Sequence, residues 1–113
     1  MIEIYQNSRC SKSREGLQIL EEAGQEFKIV DYMKEKLSVN ELKDLIQKLK
    51  IQPMDLVRKN ESIWKENFKG KDLTEEEIIR AIAEFSNLIE RPIVVKNGKA
   101  VIGRPPSLIK DIL

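Results

Sequence analysis

The 113-residue sequence predicts an α/β fold: a mixed four-stranded sheet reached in the order β-α-β, a helical insert at about residues 38–85, then β-β-α. Three observations predict it. Apolar and polar residues alternate at the start of the chain, apolar residues recur at helical spacing through its middle, and two short apolar runs near the end flank an Asn-Gly turn. A chain of this length builds one modest core and is too short for two, so residues 1–113 are expected to form a single domain.

Residues 2–5 (IEIY) alternate as a half-buried strand does, and the turn-like Gln6, Asn7 and Ser8 lead into Arg9 and Cys10. From Ser11 to Ala23 the positions Leu17, Ile19, Leu20 and Ala23 fit a helix, with Gly24 as its stop. Cys10 therefore falls at a strand-to-helix junction. Residues 26–30 (EFKIV) read as the second strand, with the helix as crossover. Ser38 with Glu41, and Thr74 with Glu77, have the spacing of capping boxes, and Leu37/Leu42 and Leu73/Ile78 that of hydrophobic staples. The stripes behind them, Leu42, Leu45, Ile46 and Leu49, then Ile78, Ile79, Ile82 and Phe85, predict two helices. Between them Pro53 to Val57 suggests a short helical piece, and Trp64 and Phe68 punctuate a polar stretch of helix and loop. Pro92 to Val95 and Ala100 to Ile102 are strands of a hairpin turning at Asn97-Gly98. Pro105 and Pro106 are expected in the first turn of a final helix, where missing N–H groups do little harm.

This order resembles the thioredoxin/glutaredoxin arrangement. The resemblance implies that the bond before the proline opening the hairpin, Arg91-Pro92, is cis and that Pro92 faces the reactive cysteine.

Composition removes many function classes. Twenty Lys and Arg against nineteen Asp and Glu leave +1, so no overall field favours nucleic acid or an anionic membrane, and any anion site must be local. No run approaches the ~18 apolar residues of a membrane span. The start, MIEIYQNSRC, lacks the basic and long apolar regions of a signal peptide, so a cytoplasmic location is expected. One cysteine and no histidine exclude an internal disulfide, a Cys/His dyad, a Cys-x-x-Cys pair and an ordinary zinc site, and no bound cofactor or metal is expected.

What remains is a thiol and some arginines. A free thiol of pKa near 8.5 is only about 3% thiolate at pH 7. At a helix start the unpaired N–H groups and the macrodipole favour the anion, and Arg9 and Lys12 are expected to add positive charge. Cysteine is also a common small core residue, but one in a polar turn such as NSRCSKSR fits a reactive thiol better. Arg58, Arg91 and Arg104 sit at the edges of structured segments, and the hairpin is expected to bring Arg91 and Arg104 together. Guanidinium groups hold tetrahedral oxyanions through paired donors.

The segments NSRCSKSR, LIERPIVV and GRPPSLI, in this order and spacing, resemble the glutaredoxin-coupled arsenate reductase family over essentially the whole chain. The resemblance implies a glutathione/glutaredoxin-dependent oxidoreductase. In it Cys10 attacks arsenate, Arg58, Arg91 and Arg104 bind the oxyanion, and Asn7, Ser13 and Pro92 support the site. Glutathione is the implied co-substrate and glutaredoxin the implied partner, because a lone cysteine needs a second thiol from outside. Ser13 stands where a resolving thiol would be and can at most donate a hydrogen bond to Cys10. Family members with His-Asn-Pro before the cysteine contrast with Gln6-Asn7-Ser8 here. Gln6 cannot become a cation and Ser8 does not fix the turn, which implies a less acidic thiol. Similar motifs also occur in regulators that contact RNA polymerase, the alternative reading, although Ser13 disfavours their redox-sensing form.

Overall fold

A computed structural model describes all of residues 1–113. The chain divides into two compact units, Met1–Glu35 with Arg91–Leu113, and Lys36–Glu90. The expected insert at about 38–85 lies within the second.

The first unit is the sheet and its helices. Strand β1 (Ile2–Gln6) runs parallel to β2 (Phe27–Asp31), with helix α1 (Ser11–Glu22) as the crossover between them. β1 is antiparallel to β3 (Ile93–Lys96), which pairs antiparallel with β4 (Lys99–Ile102), giving the order β2-β1-β3-β4. This is the mixed four-stranded sheet expected. The β3–β4 turn places Asn97 at φ 51° and Gly98 at φ 75°, left-handed backbone that asparagine and glycine tolerate best and that matches the strand twist. β1 buries Ile2, Ile4 and Gln6 on alternate positions, and Ile2 and Ile4 join Leu20, Val94 and Ile109 in the core of this unit.

Two expectations are corrected here. The buried stripe of α1 is Ser13, Gly16 and Leu20, while Leu17 and Ile19 are half-buried and Ala23, already the C-cap, is exposed. The chain closes in a 3₁₀ helix, Pro106–Ile112. Only Pro106 enters its first turn; Pro105 precedes it in extended conformation after a second cis bond, Arg104-Pro105. The bond Arg91-Pro92 is cis as expected.

In the second unit α2 (Val39–Leu49) and α4 (Glu75–Glu84) both start with complete capping boxes, Ser38 with Glu41 and Thr74 with Glu77. Each box satisfies two backbone N–H groups that a helix start leaves open. Their stripes bury Leu42, Leu45, Ile46, Ile78, Ile79 and Ile82. Phe85 leaves the helix, φ −117° and ψ 87°, and its ring meets Phe68 edge to face. The stretch between these helices holds a 3₁₀ turn at Pro53–Leu56 and α3 (Ser62–Asn67), where Trp64 stacks on Phe68 at 5.3 Å. An antiparallel bridge joins Val57 to Ile89, with the Arg58 N–H 2.7 Å from the Leu88 carbonyl. No helix is long and apolar enough to cross a membrane.

Candidate functional site

Cys10 is the N-cap of α1, in extended conformation, at the end of the turn that leaves β1. Asn7 holds that turn. Its carbonyl accepts the Cys10 N–H at 2.9 Å and its Oδ1 accepts the Arg9 N–H at 3.0 Å. Its own N–H donates to Ser13 Oγ at 3.2 Å, which ties the turn to the buried face of α1. A side chain that hydrogen-bonds two residues on is the usual asparagine turn device, and here it fixes where the thiol emerges.

Two arginines converge on that thiol. Arg104 Nη2 lies 3.4 Å from Cys10 Sγ, while its Nε donates to the Arg91 carbonyl at 2.7 Å. Arg91 is buried, and its guanidinium hydrogen-bonds the thiol as well. Burial pushes the Cys10 thiol up. The Ser13 N–H, the Arg91 hydrogen bond, the Lys12 N–H and the charge of Arg91 outweigh it and bring the thiol from 9.0 down to about 7. Neither N–H makes a capping hydrogen bond of ordinary geometry to the sulfur. At pH 7 roughly half the thiol is then ionised, against about 1% for a pKa of 9.0.

The expected source of activation is therefore corrected in part. The helix start contributes, but the cation is Arg91, not Arg9 or Lys12. Lys12 acts through its backbone, and its ammonium pairs with Glu15 at 3.4 Å in solvent. Ser13 acts on Cys10 through its N–H, while its hydroxyl accepts from Asn7. Gln6 contributes no charge, and the thiol reaches about 7 without it.

A notch of small residues brings these groups together. A Cβ on Gly16 would lie 2.8 Å from Pro92 Cγ and 3.0 Å from Ile109 Cδ1; one on Gly103 would lie 3.0 Å from the same Cγ and 2.9 Å from the same Cδ1. The Pro92 ring and the Ile109 side chain thus fill space that two glycines leave open. Pro92 adjoins Arg91, Gly103 adjoins Arg104, and Gly16 lies in the helix that Cys10 begins. The Gly103 N–H donates to the Pro92 carbonyl at 2.7 Å and closes the arrangement. Glycine within a helix costs about 1 kcal/mol relative to alanine; this close approach is its compensation. Gly16, Gly103 and Ile109 were not among the expected site residues. The signal available for Gly16 was a glycine interrupting an otherwise helical pattern.

Arg58 belongs to the other unit, where its Nη1 lies 3.3 Å from Glu61 and its Nε 3.4 Å from Glu90. The structure thus unites Cys10, Arg91, Arg104, Asn7, Ser13 and Pro92 within one unit. No cluster of three or more Cys, Asp or Glu side chains is placed to hold a metal ion. An ionised thiol flanked by guanidinium groups is equipped to attack an electrophilic centre carrying negative oxygens and to balance their charge.

The ArsC family model matches residues 5–112. An arsenate reductase of Haemophilus influenzae is 44% identical, covering 97% of this chain and 97% of its own. The protein YfgD of Escherichia coli K12 is 43% identical over 99% of this chain and 96% of its own. Among solved structures, an arsenate reductase from Vibrio cholerae superposes with a TM-score of 0.95 at 42% identity, covering 99% of this chain and 97% of that one.

Proposed function

Because this chain belongs to the ArsC family, we propose that it is an arsenate reductase that works through Cys10 with glutathione and glutaredoxin. The observation that carries the reading is the convergence of Arg91 and Arg104 on the Cys10 sulfur, with Arg104 Nη2 at 3.4 Å. The family resemblance implies a third oxyanion-binding role for Arg58, whose guanidinium pairs with Glu61 and Glu90.

The Cys10 thiolate attacks As(V), an S–As bond forms, and an arsenate hydroxyl takes up a proton and leaves as water with the electron pair of its As–O bond. The arginines balance the charge on the remaining oxygens, which is where preorganised donors are worth most. A glutathione thiolate then attacks the Cys10 sulfur. The S–S bond forms, the S–As bond breaks with its electron pair going to arsenic, and arsenite leaves. Two sulfurs have been oxidised to a mixed disulfide and arsenic reduced by two electrons. Glutaredoxin attacks the glutathione sulfur and releases the Cys10 thiolate. Because the chain has one cysteine, every later thiol in this sequence comes from another molecule. A thiolate held between arginines is surplus to a protein that acts only by docking, so the polymerase-binding alternative is set aside.

The test is arsenite formation from arsenate with glutathione, glutaredoxin and the wild-type protein, beside Cys10→Ser. Turnover that requires both thiol components and disappears in Cys10→Ser is expected. No turnover by the wild type, or undiminished turnover by Cys10→Ser, would refute the reading.

A further inference from the structure

Residues 6–14, together with Arg91 and Arg104, contain five cationic side chains and no carboxylate, in a chain whose net charge is only +1. Arg91 and Arg104 face the sulfur. Lys12 is answered by Glu15 at 3.4 Å. Asp31, which ends β2 in register with Gln6, accepts the Met33 N–H at 3.2 Å with its Oδ1. Arg9 and Arg14 differ from the other three. Both are exposed, and neither is ion-paired. Their backbones bracket the thiol: Arg9 precedes it in the Asn7 turn, and Arg14 lies one helical turn on, its N–H 3.2 Å from the Cys10 carbonyl.

Once an oxyanion occupies Arg91 and Arg104, Arg9 and Arg14 remain to meet the second reactant. We propose that Arg9 and Arg14 are specificity-determining residues that select an anionic thiol, one bearing carboxylates beyond its reacting sulfur, over neutral or cationic thiols. This deepens the reading of Cys10 as nucleophile and rests on it, but it concerns only the sulfur partner. Unit charges some 8 Å apart in water change a rate by about twofold per pair. Two arginines acting on a doubly charged partner therefore give roughly tenfold.

Thiol–disulfide exchange tests this without arsenate or glutaredoxin. The Cys10 thiolate attacks a disulfide RSSR, Cys10–S–SR forms, and RS⁻ leaves with the electron pair of the broken S–S bond. Rates are measured at pH 7 with glutathione disulfide (anionic), cystamine (cationic) and hydroxyethyl disulfide (neutral). In the wild type, added salt is expected to slow the anionic reaction and quicken the cationic one. The double variant Arg9→Glu/Arg14→Glu is expected to lower the anionic-to-cationic rate ratio at least tenfold, and Arg9→Gln/Arg14→Gln by less. The neutral rate should stay within about twofold in both. An unchanged ratio, or three rates that fall in step, would overturn the assignment. Charge selectivity without arsenate turnover would overturn the oxyanion reading alone, and turnover without selectivity this inference alone.

Discussion

Gly103→Ala is the sharpest perturbation of the site that touches no charged group. The added Cβ would lie 2.9 Å from Ile109 Cδ1, 3.0 Å from Pro92 Cγ and 3.1 Å from Ile109 Cγ1. Carbon atoms in good contact sit ~3.5–4.0 Å apart, so all three contacts are roughly 0.5–1 Å too close. Neither neighbour has room to retreat, since Pro92 and Ile109 are fully buried. Gly103 is outside the left-handed region of backbone space, so the penalty is steric. Overpacking of this kind costs about 1–3 kcal/mol, a fall in Tm of roughly 4–12 °C for a chain of this length. The displacement also reaches the thiol. Moving Pro92 moves its neighbour Arg91, whose hydrogen bond and charge help hold the thiol at about 7, and with it the carbonyl that accepts Arg104 Nε at 2.7 Å. The assay is paired: thermal melting, and the pH midpoint of Cys10 alkylation by iodoacetamide. Gly103→Ala should lower Tm and raise the midpoint above about 7. Adding Ile109→Val, which removes Cδ1, should recover part of both. Unchanged melting would refute the steric reasoning, and a lowered Tm with an unmoved midpoint would refute the link from the notch to the thiol.

Arg91→Lys and Arg104→Lys keep the charge but lose the two-point guanidinium geometry, so each should raise the KM for arsenate about tenfold in steady-state kinetics. Equal KM values would remove that arginine from the oxyanion site. A thiol lowered from 9.0 to about 7 on folding adds stability that is fully present above pH 9.0 and lost as the pH falls through about 7. Urea unfolding of the wild type should therefore strengthen from pH 6 to 9 relative to Cys10→Ser; parallel pH profiles would contradict this. Ser38→Ala removes the acceptor 3.1 Å from the Glu41 N–H and should cost about 1 kcal/mol in urea melts. No loss would mean that the capping box does not stabilise α2.

Most of the framework was legible because it is written in local signals. The boxes at Ser38/Glu41 and Thr74/Glu77 specify helix starts within four residues, and Asn97-Gly98 specifies a tight turn. Cys10 at its junction followed from element order, and the cis bond before Pro92 was what the resemblance to the thioredoxin/glutaredoxin arrangement implied. The interior of the site was less legible because it depends on approach between distant segments. Ser13 and Gly16 occupy the buried stripe of α1, yet hydrophobic periodicity passes over them because they are small and not apolar. Arg9 and Lys12 adjoin Cys10 in sequence, so they attracted the role that Arg91 fills from eighty-one residues away. Pro105 and Pro106 looked equivalent, but Pro105 is the extended N-cap, with ψ 158°, and only Pro106 enters the terminal helix. The carboxylate partners of Arg58 lie three and thirty-two residues from it, and only the nearer has a spacing that suggests pairing.

The central claim is that Cys10 is a thiolate near neutral pH because Arg91 and the start of α1 hold it so. The most direct measurement is the rate of Cys10 alkylation from pH 5 to 10 in the wild type and in Arg91→Leu. The expected result is a wild-type midpoint at about 7 that rises markedly in Arg91→Leu. A wild-type midpoint at 9.0, or one that Arg91→Leu leaves in place, would contradict it.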